Sequence, residues 1–151
     1  MLHLFLEKSE TLAYCFNVET SEPLSSSELA ILRQLLADGF VLESISLNPT
    51  NFGGDNIVEL GPRMNFATAY STNLVAICKT CGLDKVNRIE RSRRHILSSR
   101  VSKTEFVQTH QDRMTECIYH QPLQTFETGI LAEPVFEIPM MEKGPDALLE
   151  I

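Results

Sequence analysis

Tryptophan does not occur in this chain of 151 residues, tyrosine occurs three times, and no apolar run approaches the length that crosses a bilayer. A membrane span needs about 20 consecutive apolar residues. The apolar opening, residues 1–6, is broken by His3 and followed by Glu7 and Lys8. Neither a span nor a secretion signal is read there, so the expected setting is cytoplasmic, with no membrane partner. Cysteine is scarce too. Cys15, Cys78, Cys81 and Cys117 are too few and too irregular for the disulfide framework of a small secreted domain, and reduced thiols are expected. The lack of tryptophan, with a formal charge of −7, argues against a nucleic-acid partner, since such modules stack bases on aromatic rings set among basic side chains.

Catalytic patterns are equally thin. A nucleophilic cysteine sits on a tight turn between strand and helix, flanked by small residues, and none of the four has that setting. Cys78 and Cys81 fall late in a predicted helix, where the macrodipole is negative and raises a thiol pKa. Cys78-x-x-Cys81 with Cys117-x-x-His120 has zinc-knuckle spacing. Cys78 and Cys81 also continue an apolar helical face, however, and no metal is assigned. Gly53-Gly54 lacks the glycine and lysine of a phosphate loop and is read as a turn. His3, His95, His110 and His120 show no other ligand spacing, and no carboxylate pair stands out, so no catalytic residue is named.

What is present is a domain's worth of patterned sequence. A chain of this length buries about 70% of the surface its unfolded form exposes. Two β-rich runs, Leu2 to Leu6 and Leu12 to Val18, meet near Ser9 and Glu10. Ser25 and Glu28 have capping-box spacing before Leu29, Ile31, Leu32, Leu35 and Leu36, which predicts a helix over about 26–38 with Gly39 as its stop. Val41, Leu42, Ile45 and Leu47 predict a strand and Ile57 to Leu60 another, the latter followed by a loop carrying Pro62. A second helix over about 71–81 carries Leu74, Val75, Ile77 and Cys78 and stops at Gly82. Residues 86–97 read as a long strand, although Ile89, Ile96 and Leu97 also fit a helix. Phe106, Val107, His110 and Met114 predict a helix over 104–114, and residues 117–119 a closing strand. From Pro122 the chain is punctuated by proline and glycine yet rich in apolar residues, so an extended segment lying across a surface is expected. At the end, Asp146 is expected to cap a short helix, and the chain is read as cut there.

Charge is unevenly placed. Residues 1–60 hold nine acids and two bases, residues 61–113 ten bases and four acids, and residues 114–151 seven acids and one base. The middle segment carries the candidate contact residues: Arg63, Ser71, Thr72 and Asn73 around a strand-to-helix loop, and Arg88, Arg91, Arg93 and Arg94 in the long strand. The arginines suit an anion or a domain surface, although pairing with acids of flanking segments or of further domains is preferred. Asp112 and Arg113 are read as an intrachain pair, and Ser71, Thr72 and Asn73 serve equally well as a helix cap.

The residues Glu59-Leu60-Gly61-Pro62-Arg63-Met64-Asn65-Phe66, Ser71-Thr72-Asn73, Cys81-Gly82-Leu83, Val86-Asn87-Arg88-Ile89-Glu90-Arg91, Arg93-Arg94 and Asp112-Arg113-Met114-Thr115-Glu116 together resemble the N-terminal, PurS-like domain of phosphoribosylformylglycinamidine synthase in its long single-chain form. The resemblance implies an α+β fold, a pseudo-dimer of two ferredoxin-like halves with an antiparallel sheet and helices on one face. Residues 1–121 would be that domain, and residues 122–151 an extended segment leading into a linker and synthetase domain. It implies a coupling role inside a ligase of purine biosynthesis that uses glutamine, ATP and Mg²⁺. Those cofactors and the glutaminase cysteine would lie in other domains, and the synthetase and glutaminase domains would be its partners. The 151 residues alone would be inactive. Arg63, Ser71, Thr72 and Asn73 would form a domain-interface or ammonia-path loop. A free-standing zinc-binding adaptor and a small anion- or nucleotide-binding regulatory module remain as alternatives.

Overall fold

The computed structural model describes residues 1–37, 45–49, 56–131, 134–135 and 137–149. Apolar and β-favouring residues dominate β1 (Leu2–Ser9) and β2 (Leu12–Thr20), and the two pair antiparallel from Leu2↔Val18 to Ser9↔Leu12, so the expected hairpin forms with longer arms. Helix α1 (Ser26–Leu36) begins in a true capping box. Glu28 N–H donates to Ser25 Oγ at 3.3 Å and Ser25 N–H to Glu28 Oε2 at 2.7 Å. Those bonds and Lys85 hold the Glu28 carboxyl down at about 2. The helix ends at Leu36, earlier than its pattern suggests, because Ala37 is already extended. The Gly39 stop, the Val41–Leu42 part of the next strand and the Gly53-Gly54 turn lie outside the described residues.

The remaining elements are β3 (Ile45–Ser46), β4 (Ile57–Pro62), α2 (Ala69–Thr80), β5 (Val86–Ile96), α3 (Lys103–His110), β6 (Glu116–Ile118), α4 (Met140–Lys143) and a 3₁₀ turn, Gly144–Leu149. The six strands among the described residues form one antiparallel sheet in the order β3-β1-β2-β5-β4-β6. Five details correct the sequence reading. Leu47 falls outside β3. Pro62 belongs to β4, pairing with Glu116 across the ladder, rather than to the following loop. Helix α2 starts at Ala69, with Thr68 as its cap. Helix α3 stops at His110 instead of Met114, because Asp112 takes the Met114 N–H and the Thr115 hydroxyl, both at 2.8 Å, and turns the chain. Near the end a helical turn begins at Met140, before Asp146. Gly82 does stop α2, with φ of +80°.

Period two sorts β2 and β5 into two faces. On one, Leu4, Leu6, Phe16, Val18, Val86 and Ile89 meet Leu32 and Leu36 of α1 and Leu74 and Cys78 of α2. Further along the same face Phe106 and Val107 of α3 cover Val58, Leu60, Leu97 and Ile118. Each fully buried leucine or isoleucine there stabilises by about 1.5–3 kcal/mol. The opposite face carries Asn17, Glu90 and Ser92, all buried. Beside it Tyr119, Leu123 and Phe126 cluster with Met64 and Cys117. The extended segment therefore does lie on a surface at first; beyond Gly129 it leaves Ile130, Leu131 and Val135 exposed.

Candidate functional site

Along β5 the same alternation separates the arginines. Arg88, Glu90, Ser92 and Arg94 share the face opposite the helices, and Ile89, Arg91, Arg93 and His95 share the helical face. Three of the four arginines meet carboxylates of this chain. Arg88 Nε lies 3.0 Å from Glu90 Oε1, and Arg93 reaches both oxygens of Glu116 at 2.7 Å. Arg94 Nε faces Glu59 Oε2 at 3.2 Å, off the line of a hydrogen bond. Arg91 is different: its guanidinium lies over the rings of Tyr14, at 4.5 Å, and Tyr70, at 5.2 Å. Pairing with acids of flanking segments thus holds for Arg93 and Arg94, whereas Arg88 pairs with an acid of its own strand. It fails for Asp112 and Arg113, because Asp112 is taken up by its own turn.

Glu90 and Arg88 organise the loop between β4 and α2. The Glu90 carboxylate accepts from Thr68 N–H at 3.0 Å and from Thr68 Oγ1 at 2.7 Å. Thr68 Oγ1 in turn accepts from Ser71 N–H at 3.1 Å, so the helix cap is anchored by a buried charge. Arg88 donates to the carbonyls of Met64, at 3.1 Å, and Phe66, and its guanidinium stacks over Phe126 at 4.2 Å. At the loop's start Tyr119 Oη donates to Pro62 O at 2.6 Å, Arg63 N–H donates to Thr115 O, and the Arg63 side chain donates to Arg113 O at 2.8 Å. Gly61 is required beside this contact, since a Cβ there would lie 2.6 Å from the Tyr119 ring. Burial pushes the Tyr119 phenol upward, which keeps it a donor. The loop is therefore bound through its main chain from the inside, leaving Asn65 and Phe66 exposed.

The interface candidates fall into two groups. Arg63, Thr72 and Asn73 are exposed. Ser71 is buried, and its hydroxyl accepts from Ile89 N–H at 3.1 Å, tying α2 to β5. An open groove of about 830 Å³ runs beside the loop, lined by Arg63, Met64, Asn65, Cys117 and residues 126–131.

A second polar chain crosses the non-helical face. His3 Nδ1 donates to Asn17 Oδ1 at 3.1 Å, Asn17 Nδ2 to Ser92 Oγ at 3.2 Å, and Ser92 Oγ to Glu59 Oε1 at 2.5 Å. Burial first, then Glu59, pushes the adjacent Cys15 thiol up to about 12. Cys78 and Cys117 are also raised by burial, Cys78 within the helical core and Cys117 beside Pro62. Among the described residues no three His, Cys, Asp or Glu side chains converge on a metal position, so the zinc spacing in the sequence has no matching geometry. No helix among them is long and apolar enough to cross a membrane.

Glu90, Thr68, Glu59 and Tyr119 were given no site role from the sequence. For Glu90 a signal existed: two positions from Arg88 on a strand, it had to share a face with that cation.

Comparison with known proteins bears on the same segments. The sequence model of the family described as formylglycinamide ribonucleotide amidotransferase N-terminal matches residues 13–127. A Dictyostelium discoideum protein named phosphoribosylformylglycinamidine synthase is 41% identical over 158 residues, covering 95% of this chain and 12% of that protein. An Arabidopsis thaliana protein named "Probable phosphoribosylformylglycinamidine synthase, chloroplastic/mitochondrial" is 40% identical, over 95% of this chain and 11% of its own length. The human phosphoribosylformylglycinamidine synthase is 35% identical, over 80% and 10%. The chain spans about an eighth or less of the relatives it matches.

Proposed function

The chain belongs to the formylglycinamide ribonucleotide amidotransferase N-terminal family, and from that premise we propose that it is the structural and coupling domain of a phosphoribosylformylglycinamidine synthase. In this reading the full-length ligase converts formylglycinamide ribonucleotide to the amidine with glutamine as amido donor, and ATP and Mg²⁺ bind in other domains of the same polypeptide. The domain holds a fixed surface between the synthetase and glutaminase domains. The observation that carries this is the loop from Pro62 to Thr68, clamped through its main chain by Tyr119, Arg88 and Glu90 while Arg63, Asn65 and Phe66 face outward. Thr72 and Asn73 extend the surface along α2, and Ser71 serves it from inside. A surface held this rigidly loses little entropy on docking.

The sheet order also supports two related halves. The first half runs β1, β2, α1, β3 and the second β4, α2, β5, α3, β6; each ends in a short strand laid beside its first, and β2 and β5 join the halves. In this correspondence α3 is the counterpart of α1, and α2, between β4 and β5, has no equivalent in the first half.

The test is complementation. Glutamine- and ATP-dependent formation of the amidine ribonucleotide is measured with this chain, with a polypeptide carrying the downstream domains, and with both. Activity only in the mixture supports a coupling domain. Activity from this chain alone, or none in the mixture when the downstream polypeptide is folded, overturns it.

A further inference from the structure

The described sheet ends at β6, and the outer edge of that strand is only half closed. Antiparallel neighbours exchange main-chain bonds at alternate residues. Arg63 N–H donates to Thr115 O, and Tyr119 N–H donates to Glu59 O. Thr115, Cys117 and Tyr119 therefore bond towards β4, while Glu116 and Ile118 turn their N–H and C=O groups outward. Both groups of Glu116 are taken, the N–H by Asp112 O and the carbonyl by Gln111 Nε2, each at 2.8 Å. Among the described residues nothing bonds those of Ile118. The chain does not cover this edge with its next segment, because Leu123 and Phe126 are buried on the opposite face. An unpaired strand edge is a template for an added strand.

A recess beside the edge defines what that strand carries. Its volume is about 330 Å³; Ile57, Val58, Val107 and Ile118 give it an apolar floor, and Lys103 and His120 stand at its rim. Directly opposed residues of neighbouring strands share a face. Ile118 faces α3, so an incoming residue that exchanges both bonds with Ile118 sets its side chain against Val107. Residues two positions to either side point the same way, towards the rim. Among the described residues the Lys103 and His120 side chains make no hydrogen bond or ion pair, and α3 begins at Lys103 with the positive end of its dipole. The acids of the adjoining strands are already engaged, Glu59 by Ser92 and Arg94 on the other face and Glu116 by Arg93. The rim is thus complementary to carboxylates.

We propose that the outer edge of β6 is a strand-addition site for an acidic extended segment of a separate protein. One apolar residue of that segment exchanges both main-chain bonds with Ile118 and enters the recess, and acids two positions away meet Lys103 and His120. Main-chain bonds supply affinity in this mode, and the pocket supplies specificity. The site is independent of the coupling role proposed above: Pro62 lies opposite Glu116 and Leu60 opposite Ile118, so the open edge runs away from the clamped loop.

Isotope-labelled chain is titrated, under NMR, with a blocked pentapeptide of glutamate, threonine, valine, threonine and glutamate in that order. Saturable shifts should be confined to the amides of Ile118 and His120 and to the methyl groups of Ile57, Val107 and Ile118, and exchange of the Ile118 amide should slow as the probe saturates. N-methylation of the probe's valine removes its donor and should abolish saturable binding. Serine in place of that valine should weaken binding about tenfold, and lysine in place of both glutamates about threefold. Lys103→Glu, at an exposed position, should reverse the preference between the acidic and the lysine probes, whereas Arg113→Gln, exposed elsewhere, should change nothing. A polypeptide carrying the downstream domains should leave the probe bound. Shifts that do not saturate or that spread over the sheet, binding that survives N-methylation, equal binding of the lysine probe, an unchanged preference in Lys103→Glu, or displacement of the probe by the downstream polypeptide would overturn the proposal.

Discussion

Replacing Glu90 with glutamine preserves the side chain's shape and removes its charge. The native carboxylate is 1% exposed and receives the Thr68 N–H, the Thr68 hydroxyl and the Arg88 Nε–H at 2.7–3.0 Å. An amide retains the two bonds to one oxygen but turns a donor towards Thr68 Oγ1, which already accepts from Ser71. It also leaves the Arg88 guanidinium, whose side chain is 15% exposed, without a carboxylate. Breaking a buried ion pair from one side costs about 3–5 kcal/mol, and a charged hydrogen bond contributes about 1.5–3 kcal/mol. With two bonds retained, about 2–3 kcal/mol should be lost. For a urea m-value of about 2 kcal/mol/M, the unfolding midpoint falls by about 1–1.5 M. Arg88→Met in the same chain removes the stranded cation. The double variant should therefore be less destabilised than the sum of the two single variants, by about 1.5–3 kcal/mol. Amide exchange at Thr68 and Ser71 should accelerate well before exchange in β2, because the α2 cap is released first. A midpoint change equivalent to less than about 0.5 kcal/mol, or strict additivity with Arg88→Met, would refute the view that this ion pair anchors the loop.

The thiols should react in the order of their surroundings. Cys81 is exposed and Cys117 half-buried, so a disulfide reagent should label Cys81 fast, Cys117 more slowly, and Cys15 and Cys78 only at the rate of unfolding; early labelling of Cys15 in folded protein would contradict its burial. Stability should also fall on mild acidification. His3 and His95 both have pKa values lowered first by burial. The Asn17 bond and Glu59 pull His3 back up and the N-terminus pushes it down, whereas Arg93 and His110 push His95 down and Glu116 pulls it up. Each native imidazole binds its proton less readily than the unfolded chain does, so stability is lost as pH drops below about 6.5 and the loss ends at the folded-state pKa. Urea midpoints from about pH 7.5 to about pH 5 should decline, and His95→Gln should flatten the slope; an unchanged slope would show that His95 does not contribute.

Local rules made much of the fold legible. Ser25 and Glu28 announced α1, Gly82 ended α2, and two β-rich runs meeting near Ser9 and Glu10 announced the β1–β2 hairpin. Where the sequence misled, a distant partner had intervened. Ser71-Thr72-Asn73 looked like a cap, yet the cap is Thr68, because a carboxylate from β5 bonds both its N–H and its hydroxyl. Met114 fits the α3 period, but the two acceptor oxygens of Asp112 turn the chain first. The arginine run was visible as charge only. Which of its members are neutralised depends on the registers that bring Glu59 opposite Arg94 and Glu116 within reach of Arg93, and on whether two tyrosines from separate elements arrive at Arg91. No window of sequence contains that information.

The central ladder of the sheet has a consequence for synthesis. β2 pairs with β5 from Leu12↔His95 to Thr20↔Val86, so the two middle strands are made far apart in time. At about 5–20 residues per second a ribosome needs about 4–15 s to pass from the end of β2 to the end of β5. During that interval β2 has β1 on one side and an open edge bearing Cys15, Phe16 and Val18 on the other. A nascent hairpin with such an edge is a template for strand addition by neighbouring chains. The edge of the first half thus stays unpaired until residue 96 has been made, and slow codons between β2 and β5 would lengthen its exposure.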